Sequence, residues 1–131
     1  MIYVDSNIPM YLVGASHPNK LRVIDMVPRL TLAGETLVTS AETFQEIIHR
    51  YRAAKDEQHL YAAYEALSEM TQETLSVTRD DVDKALALSG KHKKLSSRDC
   101  LHAAIMKRIG ADSVWSFDKG FEELPWVVRV S

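Results

Sequence analysis

The sequence lacks the residues that staple small domains together. Of 131 residues only one is cysteine, Cys100, so no internal disulfide can form. No CxxC pair and no Cys/His pair at finger spacing is present, which argues against a structural zinc site. The five histidines, His17, His49, His59, His92 and His102, show no metal-ligand spacing either, and solvated or packing roles are expected for all of them. There is no glycine-rich phosphate loop and no Ser/His/Asp elbow. No Pro/Gly/Ser linker, repeat or low-complexity tract divides the chain. No apolar run approaches the ~20 residues of a membrane span. The start, Met-Ile-Tyr-Val-Asp, lacks the basic region and apolar core of a secretory signal. A net charge of −2 and an isoelectric point near 6.2 rule out holding nucleic acid by bulk charge. Any such contact must be local, or assisted by a cation or a partner. These absences point to a reducing, cytoplasmic setting without a membrane role.

Hydrophobic residues make up 46% of the chain, enough for a core without staples, and the length suits one domain over residues 1–131. The pattern alternates short apolar runs with helical spacings. Strands are expected at Ile2 to Val4, Glu35 to Val38, Leu75 to Val77, Val114 to Phe117 and Trp126 to Val130. Between them, helices are expected at Pro9 to Val13, Pro18 to about Leu32, Thr39 to Lys55, Glu57 to Met70, Arg79 to about Leu88 and Ser97 to Ile109. Pro28 should kink or break the second of these. Val82, Leu86 and also Ala85 should face inward on the fifth, and Gly110 should close the last. Strands separated by helices imply crossovers and a mainly parallel sheet of about five strands in a three-layer α/β/α sandwich.

In such a sheet ligands bind beyond the carboxyl ends of the strands. That rule selects Asp5, after Ile-Tyr-Val, and Asp118, after Val-Trp-Ser-Phe. Either alone reads rather as a turn residue or helix cap, but their joint occurrence after the first and fourth strands points to a site. Glu46 sits among Phe44, Ile47 and Ile48, where an unpaired carboxylate is costly. Glu42 is one turn earlier, but Thr39-Ser40-Ala41-Glu42 has the form of a capping box, which gives it a structural task. In Ser96-Ser97-Arg98-Asp99, Asp99 stands three residues after the expected cap Ser96 and reads both as part of a capping box and as a metal ligand.

Four segments together resemble the PIN-domain family and, within it, VapC-like toxins. They are Met1 to Asn7, Thr39-Ser40 through Glu46-Ile47, Ser97-Arg98-Asp99 through Ala104, and Trp115-Ser116-Phe117-Asp118 through Phe121. The likeness runs in order along essentially the whole chain, with Pro28 the one feature not expected of the family. It implies a metal-dependent endoribonuclease, the toxin of a toxin–antitoxin pair, with Asp5, Glu46, Asp99 and Asp118 as the catalytic and metal-binding acids. It also implies Asn7 and Ser116 as supporting residues.

The chemistry suits these residues. Carboxylates are the right donors for a hard cation, Mg²⁺ or Mn²⁺, and such an ion activates water for in-line attack on a phosphodiester. The expected products are 5′-phosphate and 3′-hydroxyl ends. Lys91, Lys93, Lys94 and Arg98, beside the Asp99 helix, are candidate RNA contacts, as are Arg50, Arg52 and Lys55 after Glu46. A small antitoxin and a homodimer are the expected protein partners. Tyr51, Leu60, Tyr61 and Tyr64 supply the apolar surface for the dimer. Two other readings fit the sequence. One is a phosphohydrolase of small phosphoesters, although Asn7 replaces the second acid of a DxD pair. The other is a non-catalytic module that binds antitoxin or RNA.

Overall fold

The structure is a computed structural model that describes residues 1–131. Five strands form one sheet: β1 (Ile2–Val4), β2 (Leu37–Ser40), β3 (Glu73–Leu75), β4 (Ser113–Trp115) and β5 (Val128–Val130). Their order is β3-β2-β1-β4-β5 and every pairing is parallel. The six helices are α1 (Asn7–Val13), α2 (Pro18–Leu32), α3 (Ala41–Ala53), α4 (Glu57–Met70), α5 (Arg79–Lys91) and α6 (Ser97–Ile109), followed by a 3₁₀ turn at Lys119–Glu123.

Side-chain alternation on the short strands sorts the core into two layers. Ile2, Val4, Leu37 and Trp115 point to one face and pack with Ile8, Val23, Leu30, Ile47, Ala63 and Leu67 from α1 to α4. Tyr3, Val38 and Val114 point to the other and meet Ile105, Met106 and Phe121. A third cluster, with Ala85, Cys100, Ala103 and Ala104, joins α5 to α6 on that second side. This division follows from the strand order. The crossovers β1→β2→β3 step in one direction, whereas β3→β4 returns across β1. Crossovers of one hand therefore put α1–α4 on one face and α5–α6 on the other. The reversal opens a crevice between the carboxyl ends of β1 and β4.

Several expectations about elements need correction. β2 and β3 each lie about two residues from their expected positions, so Thr39 and Ser40 belong to a strand. α3 consequently starts at Ala41 with Ser40 as N-cap, and no Thr39/Glu42 capping box forms. Thr39 instead donates its hydroxyl to the Val4 carbonyl, 2.9 Å away. A reciprocal box does occur at Thr78 and Asp81, at the start of α5. Asp81 is also gripped by Arg108 of α6, at 2.8 and 3.0 Å. α2 runs through Pro28 unbroken; Ile24 and Pro28 are both exposed, so the carbonyl left without a partner lies on the solvent side. Gly110 closes α6 with φ 75°, as its position suggests. Val82 and Leu86 do not face inward. They are 47% and 74% exposed along an open groove of about 440 Å³, and only Ala85 of that helix turn is buried.

This division of α4 from α5 is measurable. Leu67→Ala removes a fully buried side chain and should cost about 2–5 kcal/mol of unfolding free energy. Leu86→Ala should stay within about 0.5 kcal/mol. Denaturant unfolding of the two variants checks this contrast.

Candidate active site

Asp5 emerges from β1 at the edge of the crevice, and its backbone N–H still donates to the Trp115 carbonyl of β4, 3.1 Å away. Its carboxylate is buried yet well supplied with donors. The Ser6 N–H donates to Oδ1 at 2.7 Å; the Ser116 hydroxyl and the Asn7 amide donate to Oδ2 at 2.5 and 3.2 Å. Asn7 also donates to Ser116 Oγ at 3.2 Å and accepts from the Phe117 N–H at 3.3 Å, which ties the two crevice walls together. Ser116 in turn accepts from the Asp118 N–H at 2.9 Å.

Glu46 enters from the second turn of α3. The polar strand end β2 aims this helix across the crevice, and Thr43, Glu46 and Ile47 form its buried side. Asp99 enters from the first turn of α6, where Ser96 caps its N–H at 3.1 Å. Only half of the expected capping box is made, because the Asp99 side chain does not reach back to Ser96. Its carboxylate faces the crevice instead, where the helix N-terminus favours negative charge. Asp118 caps the 3₁₀ turn, accepting from the Gly120 N–H at 2.8 Å, and is the one exposed acid of the four. A Cβ at Gly120 would lie 3.1 Å from Asp118 Oδ1 and 3.7 Å from Asp99 Oδ2, so this glycine lets the two carboxylates approach.

The fifth member was not anticipated. His102 is fully buried, with Nε2 against Glu46 Oε1 and Nδ1 2.7 Å from the Tyr3 hydroxyl. A merely packed or solvated histidine does not describe it. The available signal was its spacing: three residues after Asp99, it lies on the same face of α6. Asp5, Glu46 and His102 each offer an atom within 4.8 Å of the others. The other histidines are at least partly exposed, and Cys100 is a buried thiol whose pKa is raised by burial and by Asp99.

Burial, and then the neighbouring charges, shift the ionisation of these groups. Burial pushes Asp5 up, against the opposing pull of His102 and the Ser116 hydrogen bond. Asp99 is pushed from 3.8 to about 7 by burial, then by its contact with Asp118 and the charges of Asp5 and Asp118. Burial would also raise Glu46, but the His102 hydrogen bond and charge, followed by Arg98 and Arg50, hold it below the usual carboxylate range. His102 is lifted well above 6.5: burial opposes its charge, while Tyr3, Glu46 and Asp5 favour it. Glu46 and His102 therefore form a buried ion pair beside two carboxylates that resist ionisation. Oxygen donors so close together fit a hard divalent cation, whose ligands stand about 4–5 Å apart across the ion.

The shift of Asp99 sets a direction in pH. A group raised on folding contributes stability that is complete below its unfolded pKa and is lost as pH climbs through its folded one. Without divalent metal, the wild type should lose stability relative to Asp99→Asn between about pH 4 and pH 7. The slope should not exceed about 1.4 kcal/mol per pH unit. Chemical unfolding in EDTA across that range measures it; a difference independent of pH would contradict the crowding.

Known proteins share this architecture and sequence. Residues 2–127 match the PIN domain family. The chain is 44% identical over 131 residues to the ribonuclease VapC13 of Mycobacterium tuberculosis, covering all of both chains. It is 34% identical over 118 residues to that organism's ribonuclease VapC23, covering 90% of this chain and 93% of the relative. Among solved structures, Mycobacterium tuberculosis VapC20, a Sarcin-Ricin loop cleaving toxin, superposes with a TM-score of 0.73 at 21% identity over 93% of each chain. VapBC2 of Rickettsia felis, bound to a promoter DNA fragment, gives 0.75 at 14% identity over 99% of this chain and 98% of the other. These two likenesses speak to the fold; the sequence matches go further, and the chain belongs to the PIN-domain family, among its VapC-like members.

Proposed function

We propose that residues 1–131 act as one metal-dependent endoribonuclease domain, the toxin of a toxin–antitoxin pair. The observation that carries this reading is the set of four acids drawn from distant segments to one crevice, in a chain 44% identical over its full length to a VapC ribonuclease. Asp5, Glu46, Asp99 and Asp118 would hold Mg²⁺ or Mn²⁺, with Asn7 and Ser116 orienting Asp5. Such an ion, when bound, polarises the phosphate and lowers the pKa of water at the site. The residues supply the geometry. Ser6, Asn7 and Ser116 fix the Asp5 oxygens, and the exposed Asp118 faces the side from which substrate enters. Hydrolysis leaves 5′-phosphate and 3′-hydroxyl ends on the RNA.

Local charge supports an RNA path despite the acidic total. Arg98 and Arg50 both act on Glu46, and Arg98 also faces Glu42 at 4.0 Å. Lys91, Lys93 and Lys94 are exposed at the approach to α6. A cleft of about 380 Å³ leads away from Asn7 past Tyr11, His17 and Arg50, with room for a base. A small antitoxin would block this mouth. A homodimer is supported by Tyr61 and Tyr64 on α4, 67% and 41% exposed. No helix is long and apolar enough to cross a membrane; a cytoplasmic RNA target suits the lone buried thiol.

Cleavage of defined RNAs with Mg²⁺, Mn²⁺ or EDTA tests the reading. Cleavage should require the ion, and Asp5→Asn should lower the rate by at least about two orders of magnitude while remaining folded, the scale of losing one strong electrostatic stabiliser. Near-normal cleavage by Asp5→Asn, or in EDTA, would overturn it. Metal at ~100 times its dissociation constant should also add about 2.7 kcal/mol of stability, a melting shift of several degrees. Asp99→Asn should lose most of that shift.

A further inference from the structure

His102 lies within 4.8 Å of ligand atoms of Asp5 and Glu46, but both of its ring nitrogens already have partners. Nδ1 meets the Tyr3 hydroxyl at 2.7 Å, and that hydroxyl is 2.6 Å from Ser40 Oγ and 3.3 Å from Thr43 Oγ1. Nε2 meets Glu46 Oε1. Tyr3, Ser40, Thr43 and His102 are all completely buried. The chain of contacts links β1, the end of β2, α3 and α6, the elements that deliver Asp5, Glu46 and Asp99. The other oxygen of Glu46, Oε2, has only the long contact from the Ser6 hydroxyl, at 3.4 Å.

We infer that His102, backed by Tyr3, is a positioning residue that clamps Oε1 of Glu46 and so presents Oε2 to the cation. The inference rests on the metal-dependent reading above. A carboxylate on a long side chain is free to rotate about its terminal bond. A donor fixed on one oxygen removes that freedom before the ion arrives, so less ordering is lost on binding. Nε2–H donates to Glu46 whether or not the ring carries its second proton, so the clamp needs no particular charge state. Direct ligation by His102 would require breaking one of its two contacts. Simple packing would not need a polar partner on each nitrogen, since buried polar groups are costly unless paired.

Isosteric substitutions separate these roles. His102→Gln keeps a donor where Nε2 stood; His102→Asn keeps a polar atom only near Nδ1 and cannot reach Glu46. Mn²⁺ affinity, read by titration of the free-ion paramagnetic resonance signal, is the probe, with melting in EDTA to show that each variant folds. His102→Asn should weaken Mn²⁺ binding by about 10–100-fold, and His102→Gln by only a few-fold. Tyr3→Phe, which removes one hydroxyl and keeps the ring, should weaken it in the same direction by less. In a Glu46→Gln background His102→Asn should add nothing, because the histidine acts through that carboxylate. Unchanged affinity in folded His102→Asn or Tyr3→Phe would overturn the clamp. Additive losses in the double variant, or equal losses for His102→Gln and His102→Asn, would make His102 an independent ligand and overturn it too. Wild type that binds no Mn²⁺, or an Asp5→Asn variant that binds it unchanged, would remove the metal reading as well. Loss with Asp5→Asn but not with His102→Asn would remove the clamp alone.

Discussion

Negative charges brought within a few ångströms of one another repel, by about 4 kcal/mol for a pair ~4 Å apart at an effective dielectric of ~20. A fold that buries Asp5, Glu46 and Asp99 side by side must offset that repulsion continuously. The surrounding structure is arranged to do so. Asp5 draws donors from Ser6, Asn7 and Ser116; Asp99 sits in the first turn of α6; Glu46 is matched by the imidazole of His102. Burial first, and then the repulsion that remains, raise the pKa of Asp5 and Asp99. A divalent cation would discharge the same strain, so affinity for an ion and instability without it have one origin.

The sheet order makes this crowding feasible. Because β1 is central and β4 lies on the side opposite β2, the chain reverses between them, and loops diverge from the two carboxyl ends. Asp5 leaves one wall, while Ser116 and Asp118 leave the other. α3 and α6, on opposite faces of the sheet, each direct a first or second turn into the gap. No helix has to distort to bring its acid in. Core clusters on the two faces back these walls; Glu46 and Asp99 ride on helices, and Asp5 and Asp118 sit just past the ends of β1 and β4.

Much of this was legible in the sequence because it depends on local rules. An apolar triplet ending in an acid announces Asp5, and the strand–helix alternation implies the parallel sheet and hence where such acids gather. Asp99 remained balanced between cap and ligand, and the structure explains the balance: its backbone is capped while its carboxylate is turned to the crevice. Where the reading failed, a tertiary contact had overridden a local one. Thr39-Ser40-Ala41-Glu42 has the form of a helix start, yet Thr39 is held in the sheet by the Val4 carbonyl, and the helix begins later. Val82 and Leu86 have helical spacing, but α5 meets α6 through Ala85, which leaves both beside an open groove. His102 escaped because no second histidine or cysteine marks it. Its partners, Tyr3 and Glu46, are 99 and 56 residues away.

The fold alone does not decide the chemistry, since doubly wound sheets serve many reactions. The account stands on the acids acting as one cation site. Anomalous diffraction from crystals soaked in Mn²⁺ tests that most directly. The account predicts a peak in the crevice between β1 and β4, about 2–2.6 Å from carboxylate oxygens of Asp5 and at least one of Glu46, Asp99 and Asp118. It also predicts His102 still bonded to Glu46 behind it. A crevice without a peak at saturating Mn²⁺, or a peak held elsewhere with these four acids turned apart, would contradict it.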